Sequence, residues 1–249
     1  MDPILYNAAQ GGLANFRRQE IMANNLSNAA TPGFRADLYQ AQSLYVQGAA
    51  GANNFGQSFT VQNANGIDFT QGSVIPTGRS MDIYGNENSW IAVKGSNGQE
   101  AYTKTASMRV DANGLLVTSS GKQVLGAGGT PIAIPPARSV DIAPDGTITV
   151  IPQGGDARSP TFIDRIKMVK LDKTAVLKNS DGLFQLKTGG KAPVDGNARL
   201  SSGALEGSNV QAVDQMVTMI HAGRDFESHM NLLSTMGDNL QKLTELLGD

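Results

Sequence analysis

The sequence contains no cysteine among its 249 residues, which excludes disulfide bonds, thiolate nucleophiles and sulfur-rich metal sites. Charged residues are also scarce, at 17% of the chain, and they nearly cancel to a formal net charge of −2. A nucleic-acid partner is disfavoured, because phosphate binding requires a basic face. No apolar run approaches the roughly 20 residues that span a bilayer, so we expect no membrane insertion.

The N-terminal residues lack the basic n-region and apolar h-region of a secretory signal peptide. We therefore expect a protein that stays in the cytosol or is exported by a route that reads another signal. Glycine, in contrast, is abundant, with 29 residues. This composition is typical of short strands joined by tight turns rather than of a helical enzyme core. The length allows one large domain or two modest ones.

Residues 3–27 show the periodicity of a helix, because apolar or small residues recur every three or four positions along one face. The stripe consists of Leu5, Ala9, Gly12, Phe16, Gln19, Ala23 and Leu26. Packing on the helix's own domain is one interpretation, but the narrow stripe of small residues favours assembly with other helices. The helix should end before Pro32-Gly33, since the residue before a proline avoids helical angles.

A second long helix is predicted from roughly Asn209 to Leu247, with Ser208 or Asn209 as candidate N-caps. Its stripe consists of Met216, Met219, Gly223, Phe226, Met230, Leu233, Gly237, Leu240 and Leu247, and Val213, Val217 and Ile220 widen it at the start. A helix of ~39 residues would be ~58 Å long, more than a β domain needs as cover. Much of the stripe should therefore contact the N-terminal helix or other chains.

The middle of the chain is predicted to be β-rich. Residues 35–47 fit either a helix or a strand, and residues 35–78 as a whole favour an extended linker and edge segment. From 79 to 200, short β-branched or aromatic runs are separated by Asn-Gly, Ser-Gly and Asp-Gly turns. The expected fold class is α+β, mainly β: a central sandwich or barrel-like domain between terminal helices. Trp90 and Phe184 should lie in its core.

No pattern in the sequence predicts catalysis, a metal site or a cofactor. His221 and His229 lie eight residues apart on one helix, too distant to share a metal ion. The segments 111–114 and 141–146 contain fragments of a calcium loop but lack its full ligand series, and we interpret them as hairpin turns. The glycine cluster at 126–129 has no helix after it and is interpreted as a loop. An enzyme is therefore not expected.

Several separated stretches resemble one protein family. Residues 23–34, ANNLSNAATPGF, resemble the signature of the flagellar axial proteins, which are the rod, hook and hook-associated subunits. The residues that match are Asn24, Asn25, Leu26, Asn28, Thr31, Pro32, Gly33 and Phe34. Stretches at 79–83, 102–104, 110–118, 121–126, 131–135 and 203–210 follow in the order of the family. Residues 86–91, NENSWI, depart from the G-x-G-F-F of distal-rod members, so the chain resembles the proximal-rod members more.

This resemblance implies a structural subunit of the proximal rod, which transmits torque from motor to hook. It implies four segments: a polymerisation helix and turn (1–34), a linker (35–78), an outer β domain (79–200) and a second polymerisation helix (201–249). The helices would pair as a coiled coil and carry assembly, the second through Ser208, Asn209 and Val210 as well as its stripe. The implied partners are other rod subunits, further copies of the chain, the rod cap protein and the type III export apparatus. The implied location is the periplasm-spanning rod of the basal body, reached without a cleaved signal peptide.

Two alternatives remain at this point. One is another axial protein, of the distal rod or the hook. The other is an unrelated secreted β-rich binding module, or a glycan-active enzyme, with helical oligomerisation tails. Binding or hydrolytic activity of residues 60–200 alone would favour the second alternative.

Overall fold

The computed structural model describes residues 3–39, 41–46, 57–62, 66–153 and 160–247. Within them, side chains are described except at 3–9, 41–46, 57–62, 236, 239–241 and 243–247. Two long helices, α1 (Pro3–Ser27) and α2 (Ala212–Leu247), enclose a series of short strands in the sequence. The strands are β1 (Asp37–Leu38), β2 (Ala41–Val46), β3 (Gln57–Gln62), β4 (Gly66–Ile67), β5 (Val74–Pro76), β6 (Asp82–Gly85), β7 (Ser89–Lys94), β8 (Glu100–Thr103), β9 (Thr105–Val110), β10 (Leu116–Thr118), β11 (Ala137–Ile142), β12 (Thr147–Pro152), β13 (Thr161–Arg165), β14 (Met168–Lys170), β15 (Val176–Lys178), β16 (Phe184–Leu186), β17 (Leu200–Ser202) and β18 (Ala204–Glu206).

The chain divides into two compact units. The helical unit comprises Met1–Ala29, Arg35–Asp68 and Val210–Asp249, and the β unit comprises Ala30–Phe34 and Phe69–Asn209. In the helical unit, β1 pairs with β4 and β2 pairs with β3, both antiparallel. Within residues 35–47, for which the sequence left helix and strand open, Asp37–Leu38 and Ala41–Val46 thus form strands. Neither described helix is long and apolar enough to cross a membrane.

The β unit contains four antiparallel sheets. Their strand orders are β10-β9-β6-β17, β14-β7-β8-β16-β15, β11-β12-β13 and β18-β5. Each of these sheets has two end strands, so among the described residues no sheet closes into a barrel. The mainly β fold with terminal helices is as predicted, and the barrel-like alternative is wrong. The strands of this unit are three to six residues long.

One core joins the three larger sheets. It combines Ile83 and Leu116 from the four-stranded sheet, Ile91 from the five-stranded sheet and Ile148 from the three-stranded sheet. All four side chains are fully buried. Since each strand supplies only one or two inward residues, three sheets are needed to enclose a core of this size.

The Asp-Gly and Asn-Gly pairs form turns as the sequence predicts. In the turn between β11 and β12, Gly146 has a φ of +86°, a left-handed conformation that favours glycine. The backbone N–H of Thr147 donates to Oδ1 of Asp145 at 3.0 Å, and its hydroxyl donates to Oδ2 at 2.8 Å. These hydrogen bonds hold the pKa of Asp145 below its usual range. The carboxylate therefore stays ionised and holds the turn at neutral pH.

Two local predictions are wrong. Ile132-Ala133-Ile134, one of the short β-branched runs predicted as strands between 79 and 200, makes one isolated bridge, from Ala133 to Leu115, because the prolines on either side interrupt the hydrogen-bond ladder. The second long helix begins at Ala212 rather than near Asn209, and its first turn is closed by a bond from the N–H of Gln215 to the carbonyl of Gln211. Neither Ser208 nor Asn209 is therefore the N-cap of α2.

A buried ion pair crosses the five-stranded sheet. Nζ of Lys167 lies 2.7 Å from Oε1 and 2.9 Å from Oε2 of Glu100, and both side chains are almost fully buried. The hydroxyl of Tyr102 donates to Oε1 of Glu100 at 2.8 Å and accepts from the backbone N–H of Ala192 at 2.6 Å. Every member of this network thus has a partner, which a buried polar group requires.

Tyr102 should make the β unit sensitive to alkali. Burial, with a smaller effect from Glu100, raises the pKa of Tyr102 well above its ordinary value of about 10. The folded state therefore favours the neutral phenol, and its stabilising contribution is complete below pH ~10 and is lost as the pH rises above it. Urea unfolding at a series of alkaline pH values should show stability falling by up to about 1.4 kcal/mol per pH unit from this group. The Tyr102→Phe variant should show a shallower decline, and an unchanged slope would contradict the assignment.

Candidate assembly surface

The two helices of the helical unit pack against each other. The imidazole of His229 lies against Gly11, where an added Cβ atom would be 3.3 Å from Cε1 of the histidine. Ala222, Phe226, His229 and Leu233 recur every three or four residues and define one face of α2, on which Ala222 is fully buried. This inner face of α2 is the one that meets α1.

The opposite face of α2 is apolar and exposed. It consists of Val213, Met216, Val217 and Ile220, whose exposed fractions run from 46% to 67%. At about 100° per residue, this outer face points roughly 160° away from the inner face. Contiguous exposed apolar surface is uncommon on monomeric proteins and marks an interaction site. Among the described residues, the outer face at the start of α2 is thus left exposed, whereas the inner face meets α1.

The stripe predicted on α1 lies to one side of the contact with α2. Its members Gly12, Phe16 and Ala23 are rotated by roughly 120° from Gly11 and Met22. Phe16 is 50% exposed, Ala23 is exposed and Gly12 is buried. Leu26, also predicted there, is half-buried. The side chains of Leu5 and Ala9 lie outside the described residues.

The residues predicted on the second helix are divided between its faces. Met216 and Ile220 belong to the outer face, whereas Phe226 and Leu233 belong to the inner face, where each is half-buried. Met230 is 48% exposed between the two faces. The side chains of Leu240 and Leu247 lie outside the described residues. Ser208, Asn209 and Val210 precede α2, and only Val210 is buried.

The asparagines of the signature motif end α1. Asn25 is buried, and its side chain pairs with the backbone of Asp37: Nδ2 donates to the carbonyl at 2.9 Å and Oδ1 accepts from the N–H at 2.8 Å. Nδ2 of Asn28 donates to the backbone carbonyl and to Oδ1 of Asn24, both at 3.0 Å. These bonds occupy groups at the helix end that would otherwise lack partners. They hold the chain where it leaves α1 and begins β1.

The second half of the motif meets the C-terminal motif inside the β unit. The N–H of Gly33 donates to the carbonyl of Glu206 at 2.8 Å, and the N–H of Asn209 donates to the carbonyl of Phe34 at 3.3 Å. Gly33 has a φ of +73°, and an added Cβ would lie 2.7 Å from Cγ2 of Thr105. Only glycine fits this position without strain. We call this contact between 33–34 and 206–209 the clasp.

Phe34 anchors the clasp. Its ring is 6% exposed, and Nζ of Lys178 lies 3.7 Å from the ring centroid, in the geometry of a cation–π interaction. The remaining motif residues Thr31 and Pro32 are exposed and form the turn before it, closed by a bond from the N–H of Phe34 to the carbonyl of Thr31. The signature therefore inserts an aromatic side chain into the β unit.

A second aromatic cluster supports the same region of the β unit. Phe69, Trp90 and Phe184 pack with ring centroids between 4.9 and 6.3 Å apart. Trp90 and Phe184 are buried, as the sequence predicts. Nζ of Lys173 lies 5.9 Å from the ring centroid of Phe69. The third aromatic member comes from a segment that the sequence assigned to a linker.

Asn209 connects the clasp to a third segment of the chain. Its side-chain Nδ2 donates to the backbone carbonyl and to the hydroxyl of Thr70, both at 3.2 Å, while its backbone N–H bonds Phe34. Sequence reasoning placed Glu206 and Asn209 in a family motif but missed these partners, as well as Thr105 and Lys178. Glu206 lies at the end of β18 and is fully buried, and the sequence offered no signal of that burial.

One polar cluster at the surface of the β unit has the residue types of a nucleophilic site. Nζ of Lys122 lies 2.8 Å from Oδ2 of Asp181, and both groups bond the hydroxyl of Ser96. Hydrogen bonds from Lys122 and Ser96 hold the pKa of Asp181 below its usual range. Through these bonds the cluster joins three turns of the β unit. In the described part of the chain, no group of three His, Asp or Glu residues could hold a metal ion.

Three family descriptions match successive parts of the chain. "Flagella basal body rod protein" matches residues 5–35, "Flagellar hook protein FlgE/F/G D1 domain" matches 84–150, and "Flagellar basal body rod FlgEFG protein C-terminal" matches 201–246. The first and third contain the two motifs that form the clasp.

Curated relatives match the chain over nearly its full length. The flagellar basal-body rod protein FlgF of Escherichia coli (strain K12) is 36% identical over 253 residues, which cover 99% of each chain. FlgF of Salmonella typhimurium (strain LT2) is 33% identical with the same coverage. The rod protein FlgG of Buchnera aphidicola subsp. Acyrthosiphon pisum is 29% identical, covering 99% of this chain and 100% of the relative.

Proposed function

This chain belongs to the flagellar basal-body rod protein family, in which it is most like FlgF, and we propose that it is a subunit of the proximal rod that joins its neighbours through both terminal helices. Its general role is that of a structural component of the rod in the basal body. We propose in addition its position in the rod and the surfaces through which it contacts its neighbours.

The outer face of α2 is the observation that carries the proposal. Val213, Met216, Val217 and Ile220 expose a continuous apolar surface on the side of α2 that α1 leaves uncovered. Burying four such side chains stabilises an interface by about 1.5–3 kcal/mol each before the entropic cost of association. Phe16 on α1 presents further apolar surface. In a filament each subunit has neighbours on several sides, which is the environment these surfaces fit.

We propose the coiled-coil pairing of α1 with α2 on the heptad-like spacing of their stripes. The four-segment division, with helices at 1–34 and 201–249, a linker at 35–78 and an outer β domain at 79–200, is proposed with it. The family resemblance further supports export through the type III apparatus, incorporation beneath the rod cap protein and a place in the periplasmic part of the rod. Torque would pass through the chain as a structural, non-enzymatic element.

The loop before β7 supports the proximal rather than the distal rod. Residues 86–91 depart from the pattern of distal-rod members, and the backbone of Glu87 takes a φ of +46°. The buried side chain of Lys104 holds this turn by donating to the carbonyls of Glu87 and Ser89, the latter at 3.0 Å. Specific hydrogen bonds of this chain thus stabilise the turn.

A charge placed on the outer face of α2, or at Phe16 of α1, should abolish incorporation of the chain into the rod. Phe16→Asp and Ile220→Asp each put a carboxylate where a neighbour would cover it, at a cost of about 3 kcal/mol or more, or roughly a 100-fold loss of affinity. We expect isolated basal bodies to lack the variant chain and the cells not to swim. Immunoblotting of purified basal bodies and swimming in soft agar measure the two effects.

Two controls separate assembly from folding. Asn231→Asp adds the same charge to a polar position on the same side of α2 and should leave incorporation unchanged. Urea unfolding followed by the fluorescence of Trp90, the one tryptophan in the chain, should show a normal β unit in both apolar variants. Normal motility of both Phe16→Asp and Ile220→Asp cells would overturn the proposal.

A further inference from the structure

Every sulfur atom of the chain belongs to a methionine. The sequence has 9 methionines and no cysteine, so the thioethers are the sulfur atoms on which an oxidant acts. Four of them lie in α2, a helix of 36 residues in a chain of 249: Met216, Met219, Met230 and Met236. The oxidisable side chains are therefore concentrated in one of the two terminal helices.

The methionines differ widely in their access to solvent. Met216 and Met230 of α2 are 46% and 48% exposed, whereas Met108 and Met168 in the core of the β unit are fully buried. Met22, the one methionine of α1, is also buried. A dissolved oxidant must reach the sulfur atom from the solvent. The two exposed methionines of α2 should therefore react well before the buried ones.

Met216 and Met230 lie along the same side of α2. They are 14 residues apart, so at about 100° per residue their directions differ by roughly 40°, and ~21 Å of helix separates them. Met216 belongs to the outer face, one turn from both Val213 and Ile220, and Met230 lies at the border of that face. The exposed thioethers are thus part of the surface that the proposed function assigns to neighbouring subunits.

Methionine differs chemically from the valine and isoleucine beside it. All three side chains supply apolar surface, and the flexible thioether adapts well to an irregular partner. Only the thioether, however, is converted by mild oxidants into a sulfoxide, which is polar. A polar group that is buried against apolar side chains without a hydrogen-bond donor is unfavourable. Oxidation therefore changes the outer face of α2 from a surface that favours assembly to one that opposes it.

We infer that Met216 and Met230 form a site of reversible oxidative modification, at which a peroxide converts each thioether to a sulfoxide in the unassembled chain. A lone pair of the sulfur attacks one peroxide oxygen, so that an S–O bond forms and the O–O bond breaks. The sulfur loses two electrons and the peroxide gains them. The leaving hydroxide takes the proton of the transferred oxygen and departs as water.

A dithiol-dependent methionine sulfoxide reductase reverses the modification. Two thiols are oxidised to a disulfide, the sulfur regains two electrons, and the oxygen leaves as water. The effect on assembly rests on the proposed function: as a rod subunit, the oxidised chain stays out of the rod until its thioethers are restored. Subunits already in the rod are protected, because their neighbours cover the outer face of α2.

Oxidation of the full-length chain, resolved by site, tests the modification. Dilute hydrogen peroxide followed by mass spectrometry of the peptides should give sulfoxide at Met216 and Met230 about tenfold or more faster than at Met108 and Met168. Met219, half-buried on the same helix, should react at an intermediate rate. In urea all five rates should become similar, because unfolding exposes every sulfur atom. Similar rates at the five methionines in the folded chain would overturn the inference.

A methionine sulfoxide reductase tests reversibility. Incubation of the oxidised chain with the reductase and dithiothreitol should return the peptides that contain Met216 and Met230 to their original masses. Sulfoxide that persists at both positions in the folded chain would show that the modification is not reversible.

A pulse of hydrogen peroxide tests the effect on assembly. Cells are treated briefly, protein synthesis is stopped, and sulfoxide is then measured in newly assembled basal bodies and in chains left unassembled. The fraction oxidised at Met216 should be about tenfold lower in the basal bodies, as expected for one unfavourable polar group in an interface. Met81, a half-buried methionine of the β unit, is the matched control and should be equally oxidised in both pools. Equal oxidation of Met216 in both pools would overturn the effect on assembly.

The outcome is separable from that of the proposed function. If Phe16→Asp and Ile220→Asp abolish incorporation while chains oxidised at Met216 enter the rod freely, the chain is a rod subunit and the inferred effect on assembly is wrong. If both aspartate variants swim normally, the proposed function fails, and the oxidation rates of the free chain decide independently whether the modification site exists.

Discussion

Replacing Lys167 by methionine should lower the free energy of unfolding of the β unit by about 3–5 kcal/mol. The substitution removes the partner of a buried carboxylate: Glu100 is 7% exposed and would remain in the core without its countercharge. A whole domain is typically stable by only about 5–15 kcal/mol, so this loss is a large fraction of the total. Urea unfolding followed by the fluorescence of Trp90 measures it, since that side chain is buried in the β unit.

A second substitution distinguishes an unpaired charge from lost packing. Glu100→Gln combined with Lys167→Met removes both charges and keeps an acceptor for the hydroxyl of Tyr102, so most of the lost stability should return. Lys170→Met, at an exposed position three residues along the chain, should change stability by less than about 0.5 kcal/mol. If Lys167→Met unfolds at the same urea concentration as the natural protein, the ion pair has no structural role.

Replacing Phe34 by alanine should destabilise the β unit by about 3–5 kcal/mol, the range for a buried phenylalanine. The ring is 6% exposed and lies beneath the ammonium group of Lys178. The same substitution at Phe162, which is 62% exposed, is the matched control and should change stability by no more than about 0.5 kcal/mol. Both variants can be followed by urea unfolding of the full chain.

Lys178→Met separates the ring from its cation. Loss of the cation–π contact alone should cost about 0.5–2 kcal/mol, less than loss of the ring. Equal stability of Phe34→Ala and Phe162→Ala would show that the clasp does not contribute to the fold. A decrease for Phe34→Ala with none for Lys178→Met would assign the effect to apolar burial.

The elements with strong periodicity or strong turn chemistry could be predicted from the sequence. Both long helices, the Asp145-Gly146 turn and the burial of Trp90 and Phe184 are confirmed. Each depends on interactions within a few residues, or on a large apolar side chain that has few other places to lie.

What depends on distant residues could not be predicted. Ile132-Ala133-Ile134 has the composition of a strand, but prolines flank it and the structure describes a single bridge from it, between Ala133 and Leu115. The sequence did not predict strand β15, because its three residues form a strand only through pairing with β16. The partners of Lys167 and Asn25 could not be predicted from the sequence either, since each bond joins residues that are separated in the sequence.

The direction of a helix face was the hardest feature of the assembly surface to predict. Apolar residues occur at so many positions of α2 that the sequence pattern fits two different faces of the helix. Only the burial in the structure distinguishes Ala222 on the inner face from Ile220 on the outer face. On α1 the alanines and glycines carry little apolar weight, so Gly11 against His229 was not expected. Small residues mark a close approach without indicating its direction.

The bonds of Asn209 have a consequence for how this chain can vary. The chain leaves the β unit after Phe34, returns at Phe69 and leaves again after Asn209, and Asn209 bonds both Phe34 and Thr70. The first and last residues of the segment 35–68 therefore lie close together, so the segment forms a closed loop. Closing such a loop costs only about 0.6 kcal/mol more for each doubling of its length. A change in the length of residues 35–68 should therefore cost the β unit little stability.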